Sequence, residues 1–178
     1  MKTYIALLRG INVSGQNKIL MAELRTVLTD AGFVNVKTYI QSGNVVFKTL
    51  LHNEKVIAEN ISKAIFNQFG FEVSVLIITP KDLKLIFETC PFSEENKMKS
   101  YFMMLFSEPN KELIKEVQLF STSEEQFIIN QNCIYFYGVN GYGKTKFNNN
   151  FFERKLKVIA TARNYNTMLK LLSLSAEY

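Results

Sequence analysis

The chain has 178 residues, 47% of them hydrophobic, with only three prolines and eight glycines, which excludes a disordered or fibrous protein. A net charge of +5 mildly favours anionic partners, but no run of four Lys or Arg residues supplies a nucleic-acid-binding tail. Two cysteines, Cys90 and Cys133, and one histidine, His52, exclude a disulfide scaffold, the usual zinc spacings and His-based triads.

Thr3 to Leu8 reads as a strand reached directly from the N-terminus and followed by Arg9. It is too short and too quickly polar for a signal peptide, and no apolar run approaches the roughly 20 residues of a membrane span. The expectation is a cytoplasmic protein with no membrane partner. After the polar loop Arg9 to Gly15, Met21, Leu24, Val27, Leu28 and Ala31 recur at helical spacing, and Gly32 stops the helix. Val34, Val36 and Thr38 alternate as a second strand, Gln41 to Asn44 makes a turn, and Val45 to Phe47 is a third strand. Ile57, Ile61, Ala64 and Ile65 mark a second helix ended by Gly70, and Phe71 to Ile78 a fourth strand. The order β-α-β-β-α-β is ferredoxin-like.

Thr79-Pro80-Lys81-Asp82 opens a short helix, with Thr79 as cap and Pro80 at the first helical position. Pro91 to Asn96 reads as a linker. Beyond it the order restarts: a strand over Tyr101 to Phe106, a helix opened by Pro109, and strands Gln126 to Ile129 and Cys133 to Tyr137 joined by a hairpin turn. A helix around Phe151 to Leu156 follows, then a weak extended piece at Val158 to Ala160 and a final helix carrying Tyr165, Met168, Leu169 and Leu172. The fold class is therefore α+β: tandem ferredoxin-like units with antiparallel sheets, residues 1–90 and 91–178, the second with a C-terminal helix. Units this small are marginal alone.

Gly138 to Thr145, GVNGYGKT, satisfies the phosphate-loop pattern GxxxxGK[ST] letter for letter. Such a loop offers backbone N–H groups to phosphates, a lysine to the terminal phosphates and a hydroxyl to magnesium, which makes phosphoryl or nucleotidyl transfer an alternative reading. Two features oppose it. The 33 residues after Thr145 leave too little chain for a parallel sheet. No apolar strand ending in Asp follows to hold magnesium, because Val158 to Thr161 leads to Arg163.

Packing does not account for several polar groups. Arg9-Gly10-Ile11-Asn12 follows an apolar strand, where an arginine is well placed for an anion. Gln41-Ser42-Gly43-Asn44 is a turn needing no function, yet it adds hydroxyl and amide groups. In Thr161 to Thr167, Asn164 can cap the last helix, and Arg163 beside that helix start reads as an anion clamp. Lys144, Thr145 and Lys146 form a rim or a solvated bend. No paired carboxylates or activated serine appear, so no catalytic residue is nominated. The aromatic strands lack the Arg/Lys rim of base-stacking sheets, which argues against nucleic acid. No cofactor or metal is called for, and the sequence leaves monomer, homodimer and a protein-interaction module open.

The blocks Ala6 to Val13, Met21 to Arg25 and Thr38 to Phe47 resemble the DUF1697 family of uncharacterised bacterial proteins, as do Phe147 to Glu153 and Ala160 to Thr167. The resemblance covers nearly the whole chain. It implies a duplicated ferredoxin-like fold and no particular activity, and it implies that the phosphate-loop match is local to this chain. Tyr165, where tryptophan is commoner, and Ser14, where glycine is commoner, depart from the family pattern. The resulting expectation is a protein that binds a small anionic or nucleotide-like ligand in a cleft between its halves. Arg9, Asn12, Ser42, Asn44, Lys144, Arg163, Asn164 and Asn166 would line that cleft.

Overall fold

The computed structural model describes residues 1–13, 15–139 and 141–177. Contacts divide the chain into two units, Met1–Lys84 with the chain from Leu169 onward, and Leu85–Met168.

The first unit runs β1 (Lys2–Arg9), α1 (Met21–Asp30), β2 (Val34–Tyr39), β3 (Asn44–Thr49), α2 (Glu54–Phe69), β4 (Ser74–Ile78). All pairings are antiparallel in the order β2-β3-β1-β4, the ferredoxin-like arrangement. β1 lies centrally, and its apolar run Tyr4 to Leu8 is buried throughout. Alternation divides that run between two faces. Tyr4, Ala6 and Leu8 join Val45, Phe47, Val75 and Ile77 against Leu24 and Leu28 of α1 and Ile57, Ile61 and Ile65 of α2. Ile5, Leu7 and Val46 are equally buried on the opposite face.

Local chemistry sets the helix ends. The Asn53 side chain accepts from the backbone of Lys55 and Val56 to start α2, and Gly70, left-handed at φ 79°, stops it by donating to the Phe66 carbonyl. Thr79 caps α3 (Pro80–Glu88), its hydroxyl accepting from the Asp82 backbone N–H. The expected linker at Pro91 to Asn96 is partly helical. Ser93 caps a short α4 (Glu94–Met98), because its hydroxyl accepts from the Asn96 backbone.

The second unit repeats the topology with β5 (Tyr101–Leu105), α5 (Lys111–Gln118), β6 (Glu125–Asn130), β7 (Cys133–Gly138), α6 (Asn149–Leu156) and β8 (Ala160–Asn164), before α7 (Tyr165–Ala176). Its sheet order is β6-β7-β5-β8, again antiparallel. The tandem ferredoxin-like duplication is thus the fold. α5 starts at Lys111 rather than at Pro109, since Asn110 is the residue whose side chain accepts a first-turn N–H. The last strand is also displaced from the expected Val158 to Ala160. β8 takes in the polar residues Thr161, Arg163 and Asn164 and pairs with β5 over five positions.

One face of this sheet packs an aromatic core. Phe127, Phe136, Phe147, Phe151 and Phe152 interlock at centroid distances of 5.0–6.4 Å, half of the contacts edge to face and half tilted. The opposite face carries Phe102 and Tyr135. Phe87 of α3 stacks on Phe102 at 5.6 Å, and the Tyr135 hydroxyl donates to the Ile86 carbonyl at 2.9 Å. Among the described residues no helix is long and apolar enough to cross a membrane.

Candidate functional site

In the first unit the β1–α1 loop is drawn onto the β2–β3 turn by one side chain. Asn12 Nδ2 donates to the carbonyls of Ile19, at 3.0 Å, and Gln41, at 2.8 Å, while Oδ1 accepts from the Ile19 N–H at 2.9 Å. Both amide protons are engaged, so Asn12 acts first as a clamp. The Asn17 amide donates to the Gly10 carbonyl at 3.1 Å, and the Asn12 backbone donates to the Asn17 carbonyl at the same distance. Ser14 lies outside the described residues.

The turn is closed by its own side chains. Asn44, fully buried, donates to the Tyr39 carbonyl at 3.1 Å and to the Ser42 hydroxyl at 2.9 Å. Gly43 is pressed against β1. Its carbonyl accepts from Leu8 N at 2.8 Å, and a Cβ there would lie 2.6 Å from Leu8 Cβ.

Six of the twelve left-handed residues among those described fall in this loop and turn: Gly10, Asn12, Gly15, Asn17, Ile40 and Gly43. Glycine and asparagine adopt that region readily. Ile40, at φ 46°, does not, and a β-branched side chain held there is strained by about 1–3 kcal/mol. Strain of this kind gathers at binding sites.

Between loop and turn opens a cavity of about 380 Å³ lined by Asn12, Gly15, Lys18, Ile19, Leu20 and Gln41. That volume falls in the ordinary range of small-ligand pockets, about 300–1,000 Å³. Ile19 and Leu20 give it apolar walls, and Lys18, exposed, gives it a cation. Of the four first-unit residues expected from sequence, only Asn12 is among the lining residues. Ser42 and Asn44 support the adjoining turn, and Arg9, half-buried, ends β1 opposite Ser74 of β4. Lys18 was not nominated from the sequence, and Gln41 entered only as part of the polar turn Gln41 to Asn44. A lone lysine before a helix and a glutamine in a turn carry no distinguishing pattern.

The other four nominated residues belong to the second unit. Arg163 does not stand in a loop beside a helix start. It lies within β8 opposite Phe102, only 6% exposed, with Nη1 donating to the Thr161 hydroxyl and the Ala162 carbonyl, both at 2.8 Å. Asn164 caps α7 as expected, its Oδ1 accepting from Thr167 N at 2.9 Å. Asn166 is exposed in the first turn of α7, and Lys144 is exposed on the glycine-rich loop.

That loop is built as a turn, and its Asn140 lies outside the described residues. β7, from which it leaves, is antiparallel to both its neighbours. Gly141 N donates to the Gly138 carbonyl at 3.0 Å, while Lys144 N and Thr145 N reach the Gly141 and Tyr142 carbonyls at 3.4 Å. The Thr145 hydroxyl accepts from Phe147 N at 2.9 Å. Tyr142 anchors the turn by stacking on Tyr101 at 4.2 Å. A phosphate loop runs straight into its helix at the Lys-Thr step. Here α6 begins only at Asn149, with Asn148 as its cap.

Among the described residues no group of three or more His, Cys, Asp or Glu side chains is placed to hold a metal ion. Burial pushes the thiols of Cys90 and Cys133 above their ordinary range, and burial does the same for the Tyr135 hydroxyl. Neither thiol is a thiolate nucleophile at neutral pH.

The profile of the protein family of unknown function DUF1697 matches residues 1–135. The chain belongs to the DUF1697 family. It is also similar to the conserved bacterial protein SP0830 from Streptococcus pneumoniae, whose solved structure superposes with a TM-score of 0.77 at 25% identity, covering 97% of this chain and 98% of that one. No curated protein sequence matches. The loop-and-turn cavity falls inside the segment matched by the DUF1697 profile, whereas the glycine-rich loop falls beyond it.

Proposed function

We propose that this DUF1697 protein binds a small anionic or nucleotide-like ligand in the first-unit cavity. The observation that carries the reading is the cavity itself: about 380 Å³ between the β1–α1 loop and the turn holding the strained Ile40, two segments that the Asn12 side chain ties together. Lys18 supplies the charge that meets an anionic group, Ile19 and Leu20 supply apolar surface for the ligand's body, and Gln41 supplies amide donors and acceptors. Among the described residues no group lining the cavity is set up for acid–base or covalent chemistry, and the activity proposed is binding. Phosphoryl transfer at the glycine-rich loop is not favoured, because the Gly141, Lys144 and Thr145 amide protons are already engaged within the turn.

Thermal-shift titration with inorganic phosphate, nucleoside monophosphates and small carboxylates tests the proposal. A binding ligand raises the melting temperature by mass action, about 2.7 kcal/mol of stabilisation at a hundred times Kd. The rise should vanish in Lys18→Glu and persist in Lys144→Ala. A panel that shifts neither wild type nor variant overturns the reading.

A further inference from the structure

The positive charge of the second unit is concentrated around α6. From Lys144 to Lys157 the sequence has five cations (Lys144, Lys146, Arg154, Lys155 and Lys157) and one acid, Glu153, a net +4 in a chain whose total is +5. Among the described residues no ion pair joins any of the five to a carboxylate. Glu153 instead accepts from the Ala160 backbone N–H at 2.9 Å.

Two of these cations flank one aromatic column. Lys146 Nζ lies 5.3 Å from the Phe147 ring centroid, Phe147 meets Phe151 edge-on at 5.0 Å, Phe151 meets Phe120 at 5.7 Å, and Lys155 Nζ lies 4.9 Å from Phe120. At the Phe120 end stands Leu119, the C-cap of α5, 86% exposed and the most exposed large hydrophobic residue described. An exposed apolar projection beside solvated cations has the composition of an interface anchor with a charged rim.

We propose that this α5–α6 face docks an acidic segment of a protein partner carrying an apolar side chain, with Leu119 and Phe120 as the apolar contact and the α6 cations meeting the carboxylates. Charge complementarity favours an anionic partner. Nucleic acid is disfavoured, because base stacking needs an open ring face and the exposed ring here, Phe120, lies under Lys155. A lipid surface is disfavoured because Leu119 and the partly exposed Phe120 offer less apolar surface than stable membrane attachment needs.

The test is fluorescence anisotropy on the full chain with three probes: a labelled peptide of about a dozen residues alternating Glu and Leu, an oligothymidylate of similar charge, and vesicles containing phosphatidylserine. The peptide should bind and should weaken as salt is raised, since the charges are exposed. Leu119→Ala should weaken it about tenfold, the loss expected for a truncated leucine anchor. Lys155→Glu should weaken it by a similar factor. Arg154→Glu, at an exposed position, gives the same reading if Lys155→Glu does not fold. Absence of peptide binding, binding unchanged in these variants, or tighter binding of the oligonucleotide or the vesicles would each overturn the proposal.

Discussion

Replacing Gly43 with alanine probes the close approach that forms the loop-and-turn site. Two costs add. An L-residue at φ 73° is disfavoured by about 1 kcal/mol. A Cβ placed 2.6 Å from Leu8 Cβ and 3.0 Å from Ile11 Cδ1 must displace β1 or the turn, an overpacking cost of about 1–3 kcal/mol. Gly70→Ala is the matched control. Gly70 has nearly the same φ, 79°, but an added Cβ meets nothing within 4 Å, so only the conformational cost of about 1 kcal/mol applies. Urea titration of the two variants should therefore separate them, with Gly43→Ala losing about 2–4 kcal/mol in all. At about 2–4 °C per kcal/mol for a chain of this size, its melting point should fall by about 4–16 °C. If the two variants lose the same stability to within about 0.5 kcal/mol, the turn does not press on β1 and the reasoning fails.

Two further outcomes follow from the second unit. Tyr142→Ala should cost about 2–3 kcal/mol in thermal or urea unfolding, because it removes the 4.2 Å stack on Tyr101, whereas Lys144→Ala, on an exposed side chain, should change stability by less than about 0.5 kcal/mol. Burial raises the Cys133 thiol and the Tyr135 hydroxyl above their reference values of 9.0 and 10.0, so the unfolded chain releases these protons first. Their contribution is complete below pH 9 and falls by about 1.4 kcal/mol per pH unit for each group as pH rises past that group's reference value. In melting curves across this range, Cys133→Ala should leave a shallower fall between pH 9 and pH 10, the share of the Cys90 thiol, and an undiminished slope would contradict the assignment.

Most of the fold was legible because the local signals agreed with the global topology. The run Tyr4 to Leu8 in a central strand, the Ile57-Ile61-Ile65 stripe of α2 and the glycine stop at Gly70 each read the same way in sequence and structure. β8 was displaced for a physical reason. Arg163 and Thr161 look like loop residues, but Thr161 supplies the hydroxyl and Ala162 the carbonyl that let a guanidinium lie buried on a strand. The helical stretch hidden in the expected linker depends on one serine cap, too small a signal beside Pro91. The Gly and Asn of the β1–α1 loop announced unusual backbone angles, but the left-handed Ile40 and the cavity that enlists Lys18 and Gln41 arise from tertiary packing that periodicity does not encode. Conversely, the phosphate-loop string was the most conspicuous pattern in the chain, yet it folds into an aromatic-anchored turn.

The most direct test of the proposed site is amide-resolved NMR during titration with a nucleoside monophosphate or inorganic phosphate. The account predicts shift changes centred on the backbone of Gly10 to Leu20 and Gln41 to Asn44, with the amides of Gly141 to Thr145 unmoved. Changes confined to the glycine-rich loop, or none at saturating ligand, would contradict it.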